Sequence, residues 1–181
     1  MNNPFNLSDE KLKELLAAYV TWMKSIPAES AYPGTFRDQS KMLREDFLNK
    51  DVLNRLSDDE LYDKIYRYSR KLEGKAYRTL PADHIKRSIG ELKHHLDYLL
   101  TSSDKPAVIA QSLIDGKNKI RNFSKAFWSP ILQARFPDDL PNWNNKTENF
   151  LSKLGLHIST YTLTTEEKYQ KISEAFKYLI S

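Results

Sequence analysis

The chain has 181 residues, 40% hydrophobic and 29% charged, with no cysteine, a formal net charge of +4 and a mean hydropathy of -0.64. That size suits a single domain, and the balance excludes wholesale disorder, collagen-like repetition and any run near the ~20 apolar residues that cross a bilayer. The missing cysteines exclude disulfides, thiolate metal sites and cysteine nucleophiles, and because Met1 to Phe5 has no basic segment leading into an apolar run, a cytoplasmic protein is expected.

Asn6 to Ser8 is placed to cap a first helix reaching about Ile26, in which Leu12, Leu15, Leu16, Tyr19, Val20 and Met23 recur at the intervals of one buried face. Pro27 and the Pro33-Gly34 pair make a loop, and a weaker helix follows over about 37–49 with Met42, Leu43 and Phe47 apolar. Ser57 and Glu60 predict a reciprocal capping box at the head of a third helix, whose inner face is Leu61, Ile65, Tyr68 and Leu72 and whose end is Gly74. Pro81 or Asp83 opens the next, where Ile85, Ile89, Leu92, Leu96 and Leu99 form the clearest amphipathic seam in the chain.

Pro106, suited to a first helical position, starts a short helix through Ile114 that Gly116 stops. Another is expected from about Lys119 to Arg135, carrying Ile120, Phe123, Phe127, Trp128, Ile131 and Leu132, with Pro130 kinking or breaking it. Beyond Pro137 and Pro141, Asn144 or Asn145 caps a helix ending at Gly155, and only Leu156 to Thr164 has an extended character. Thr164 and Glu167 box a last helix through Tyr169, Ile172, Phe176, Leu179 and Ile180. The expected fold is all-α, a compact single-domain bundle of about seven or eight helices with a helix-hairpin-helix-like C-terminal half. The last helix meets Ser181 without a stop signal, which reads as the amino-terminal domain of a longer polypeptide.

Positive charge is segregated. Residues 64 to 93 hold nine Lys/Arg against Glu73, Asp83 and Glu91, and residues 117 to 135 hold five Lys/Arg and no acid, so the remainder of the chain is net negative. Such clustering points to a polyanionic partner. In the first window Lys64, Arg67 and Lys71 are spaced as a ridge opposite the buried face, Arg70 follows Tyr66 by four, and Lys75 and Arg78 extend the ridge. Cations interleaved with Tyr62, Tyr66 and Tyr77 suit phosphate contact and base stacking, or equally a solvated helix face with snorkelling side chains. Lys117, Lys119, Arg121 and Lys125 form the second cluster.

Catalytic signals are missing. His84, His94, His95 and His157 have no metal-ligand spacing, no glycine-flanked serine or phosphate-cradling loop occurs, and Asp58-Asp59 and Asp138-Asp139 sit at a helix entry or in a loop. No catalytic residue, metal or cofactor is expected. The run Asn144-Asn145-Lys146-Thr147 through Lys153-Leu154-Gly155-Leu156 resembles the segment of helix-hairpin-helix DNA glycosylases in which a loop aspartate precedes a helix with a Leu-Gly cap. Asn144 occupies the aspartate's place, and an amide cannot serve as the base.

A second resemblance covers roughly residues 80 to 160. Leu113-Ile114-Asp115-Gly116-Lys117, Phe127-Trp128-Ser129-Pro130-Ile131-Leu132, Phe136-Pro137 and Asn144 to Gly155 look like the helical amino-terminal regions that precede the AAA+ motor of McrB-type restriction ATPases. The resemblance implies modification-dependent or anti-phage DNA restriction, a GTP-hydrolysing motor beyond Ser181 and cleavage by a partner nuclease. The sequence thus points to a non-catalytic DNA-binding or target-sensing domain, with the two basic clusters and the Asn144, Asn145, Lys146 and Thr147 loop against DNA and no membrane partner. The alternatives are a protein-interaction or autoinhibitory helical module, and a degenerate glycosylase-like protein.

Overall fold

A computed structural model describes residues 3–25, 41–71, 81–158 and 162–180. Among them the fold is all-α, with no strand, in ten helices rather than the expected seven or eight. In chain order these are α1 Asp9–Ser25, α2 over 41–46, α3 Lys50–Arg55, α4 Asp58–Lys71, α5 Ala82–Arg87, α6 Ile89–Thr101, α7 Pro106–Ile114, α8 Lys125–Arg135, α9 Asn145–Lys153 and α10 Thr165–Ile180. The Pro33-Gly34 loop, Leu72, Gly74, Lys75, Tyr77 and Arg78 lie outside the described residues, as do the side chains of Tyr19, Val20, Met23 and Lys71.

Two of the additional helices have local causes. The Asn49 side chain accepts from the amides of Asp51 and Val52 at 3.1 and 3.2 Å, capping α3, whose Leu53 is buried. The single helix expected after Pro81 divides at Ser88, whose amide turns back to the carbonyls of His84 and Ile85 while its own carbonyl takes the Leu92 amide. The seam survives the division: Ile85, Ile89, Leu92, Leu96 and Leu99 are all buried.

Both capping boxes form. Ser57 N–H donates to Glu60 at 2.8 Å with Glu60 N–H returning to the Ser57 hydroxyl at 3.3 Å, and Thr164 and Glu167 do the same at 2.7 and 3.2 Å. The two amide donations hold both carboxyls below the usual range for glutamate. Pro106 opens α7 at its first turn and the chain leaves it through Gly116, whose amide reaches the Gln111 carbonyl at 2.8 Å.

The helix expected from Lys119 begins only at Lys125, and Pro130 lies inside it without ending it. Residues 117–124 instead make turns, because Asn122 takes a positive φ of 71° that a helix cannot contain. The helix-hairpin-helix-like C-terminal half is not confirmed: α7 packs against α8 and α10, and the Lys125–Glu148 pair links α8 to α9. The Trp143 amide, in the loop before α9, donates to the buried Ser129 hydroxyl of α8. Leu156 to Ile158 is irregular, and 159–161 lies outside the described residues.

The core is aromatic along its length. Edge-on ring contacts run from Phe47 to Tyr68 (5.7 Å), Tyr68 to Phe127 (5.3 Å), and Phe127 to both Phe123 (4.8 Å) and Trp128 (5.1 Å). The Tyr68 hydroxyl donates to the Phe127 carbonyl at 2.8 Å, so the ring that fills the gap between α4 and α8 also fixes their relative depth. Around this line α4 packs on α5 and α6, and α3 on α6.

Candidate nucleic-acid interface

The α4 ridge is built as its periodicity requires. Leu61, Ile65 and Tyr68 are buried, and Arg67, two residues on from Ile65 and so on the other side of the helix, is exposed. Tyr62 and Tyr66 are half-buried with rings 5.9 Å apart, and the Arg70 guanidinium lies 4.5 Å from the centre of Tyr66, giving a ladder of two rings and a cation along one helix.

Several of the cations carry their own carboxylates. Lys64 pairs with Asp46 of α2 at 2.5 Å with both side chains half-buried, and Lys119 pairs with Asp115 at 3.5 Å in an exposed i,i+4 bridge. Lys125 binds Glu148, whose carboxylate also accepts the Trp143 indole N–H at 2.7 Å, while the ammonium lies 4.8 Å from the Trp143 ring. Lys125 is therefore a clamp between α8 and α9 as much as a surface cation. Arg67, Lys117 and Arg121 are exposed and have no ion pair among the described residues.

In the third expected contact region, the Asn144 side-chain oxygen accepts from the amides of Lys146 and Thr147 at 2.8 and 3.0 Å, which makes it the N-cap of α9. The Thr147 hydroxyl donates to the Asn142 carbonyl at 2.6 Å, and Asn145 and Lys146 are exposed. Gly155 ends the turn after α9 with φ of 84°, the left-handed cap expected of it. The Asn144 oxygen and the Thr147 hydroxyl are thus engaged by the loop's own backbone.

The two basic windows meet, through residues that sequence reasoning passed over. α5 packs on α4, and at its last turn the His84 Nε2–H donates to the Arg121 carbonyl at 3.1 Å. Arg87 lies one turn on from His84, on the same side of α5. Arg87 belongs to the first basic window but is not singled out there, and it pairs with Asp83 four residues before it; Asn122 carries no charge and falls inside the stretch expected to be helix from Lys119.

Among the described residues no three His, Asp or Glu side chains cluster as metal ligands, and no helix is long and apolar enough to cross a membrane. Comparison with protein families, with characterised proteins and with solved structures finds no match to this chain.

Proposed function

We propose that this chain is a non-catalytic DNA-binding domain, serving as the target-sensing part of a restriction-type, anti-phage defence ATPase. What carries the reading is the meeting of the two basic windows where α5 touches the 120–123 turn, with Arg67, Lys117 and Arg121 exposed and free of carboxylate partners among the described residues. Phosphates would be met by these cations, and bases by the Tyr62–Tyr66–Arg70 ladder. The restriction context, with its GTP-hydrolysing motor and partner nuclease, rests on the resemblance of residues 80 to 160.

Fluorescence anisotropy with a duplex and with a single-stranded oligonucleotide tests the reading across salt. The expected outcome is a log-log decline of affinity with salt whose slope falls by about one in Arg67→Gln and again in Lys117→Gln. No binding at about 50 mM salt, or a flat slope, ends it.

A protein-interaction role draws support from the carboxylates on Lys64, Lys119 and Lys125, which cut the net field, and from tyrosines of the kind favoured at interfaces. Loss of a protein complex in Arg67→Glu at unchanged DNA affinity would favour that reading. The Asn144 amide is engaged as a cap and supplies no base, so the glycosylase-like reading gains nothing from it.

A further inference from the structure

The described surface contains an open cleft of about 470 Å³ lined by His84, Arg87, Ser88, Arg121 and Asn122. We propose that this cleft is a phosphate-binding site and that the phosphate it takes belongs to a nucleic-acid strand. The strand assignment rests on the DNA-binding reading; the phosphate chemistry rests on the cleft itself.

The site is assembled by two rigid pieces. On one side the last turn of α5 places His84 and Arg87 three residues apart, with Ile85 fully buried between them as the anchor. On the other, Phe123 N–H donates to the Ile120 carbonyl at 3.1 Å, and both residues are buried. A four-residue turn with its ends anchored inward must present its two central residues outward, and these are Arg121 and Asn122, both exposed. The φ of 71° at Asn122 is what the third position of a type II turn requires, and asparagine is the side-chain-bearing residue that tolerates it best. The two pieces are latched by His84, whose ring stacks on Phe123 at 6.0 Å and whose Nε2–H donates to the Arg121 carbonyl.

Donor chemistry then selects the ligand. None of the five lining side chains is a carboxylate and none is apolar, so neither a metal cation nor a hydrophobic group is favoured. Arg87 and Arg121 present forked N–H donors. With His84 Nε2–H committed to the Arg121 carbonyl, the Asn122 amide 3.3 Å from that nitrogen finds no acceptor there, which leaves its N–H groups for a ligand oxygen. Among the described residues the competing anion is Asp83, which holds Arg87 at 2.9 Å in an exposed i,i+4 pair; such pairs are weak, and a phosphate accepting two parallel N–H bonds displaces them. Arg121 has no ion pair to break among the described residues. The cleft exceeds the size of a lone phosphate, leaving room for the attached sugar.

Nuclear magnetic resonance on the full chain decides, following the His84 ring, the Asn122 side-chain amide and the Arg121 Nε–H during titration with inorganic phosphate and, separately, with a 5′-phosphorylated oligonucleotide. The expected result is a saturable shift of all three, tighter for the oligonucleotide, and weakened about tenfold in Arg87→Gln and in Arg121→Gln. Both variants alter exposed side chains, and their amide spectra verify the fold. Shifts that fail to saturate, or that are unchanged in both variants, overturn the site. Oligonucleotide binding that leaves these signals still overturns the site while the DNA-binding reading stands. Saturation by inorganic phosphate with no response to the oligonucleotide overturns the strand assignment and, if anisotropy also shows no DNA binding, the DNA-binding reading with it.

Discussion

His95 is a buried histidine, 7% exposed, whose Nδ1 has no hydrogen-bond partner among the described residues and whose ring lies 6.4 Å from that of Trp128. Desolvation, and then the neighbouring His94, push its pKa below the usual histidine value, with Glu91 opposing. The folded protein therefore binds this proton less readily than the unfolded chain. The resulting stability is fully present above the unfolded-state pKa of about 6.5 and is lost as pH falls below it. Urea midpoints should decline from pH 7.5 to pH 5, and His95→Phe should flatten that decline; an equal slope in the variant would remove His95 as its source. The sequence placed His95 at the border of the apolar seam, and so marked its burial, but not the missing partner for Nδ1, which depends on α8 bringing Trp128 alongside.

Among the helices, the ends that were legible are those set by residues three or four apart: the Ser57–Glu60 and Thr164–Glu167 boxes, Pro106 at the head of α7, Asn144 before α9. What local pattern could not show is where tertiary packing overrides it. Ile120 and Phe123 keep helical spacing with Phe127, yet they are buried as the two ends of a turn and not as one helical stripe, so α8 starts later than its apolar residues imply. Gly116 ends α7 as expected, but for reasons of space: a Cβ there would lie 2.8 Å from Ser112 Cα and 3.0 Å from the Gln111 carbonyl oxygen. Both are backbone atoms that cannot swing away. Gly116→Ala should cost about 1–3 kcal/mol in a urea unfolding series. The α7 exit also positions Asp115, which accepts from the Thr165 hydroxyl, while Gln111 accepts from the Glu166 amide at 3.1 Å, so the same strain should loosen α10.

At the scale of the molecule, charge segregation in the sequence overstated the bare positive field. Lys64 and Asp46 are 18 residues apart and Lys125 and Glu148 are 23 apart, and no window in the sequence reveals that such pairs meet. The converse also holds: the windows come together through α5 and the 120–123 turn, where a histidine does the joining through the Arg121 carbonyl and the Phe123 ring. Apart from those two half-buried bridges, the ion pairs among the described residues are exposed and contribute little to folding. Under the proposed function, DNA affinity and stability should therefore respond differently to salt. Between about 50 mM and 200 mM the first should fall steeply while the thermal midpoint moves by no more than about 3 °C. A midpoint that drops in step with affinity would mean that the bridges hold the bundle together.

Lys125, Trp143 and Glu148 form one polar knot at the seam of α8 and α9, with the indole N–H held by the carboxylate and the ammonium close to the ring. An indole so placed is an internal dye: its emission colour is set by Glu148 of α9, Lys125 of α8 and, 5.9 Å from the ring, Lys168 of α10, and it changes whenever those helices part. With Trp22 and Trp128 replaced, Trp143 alone would report the packing of α8, α9 and α10.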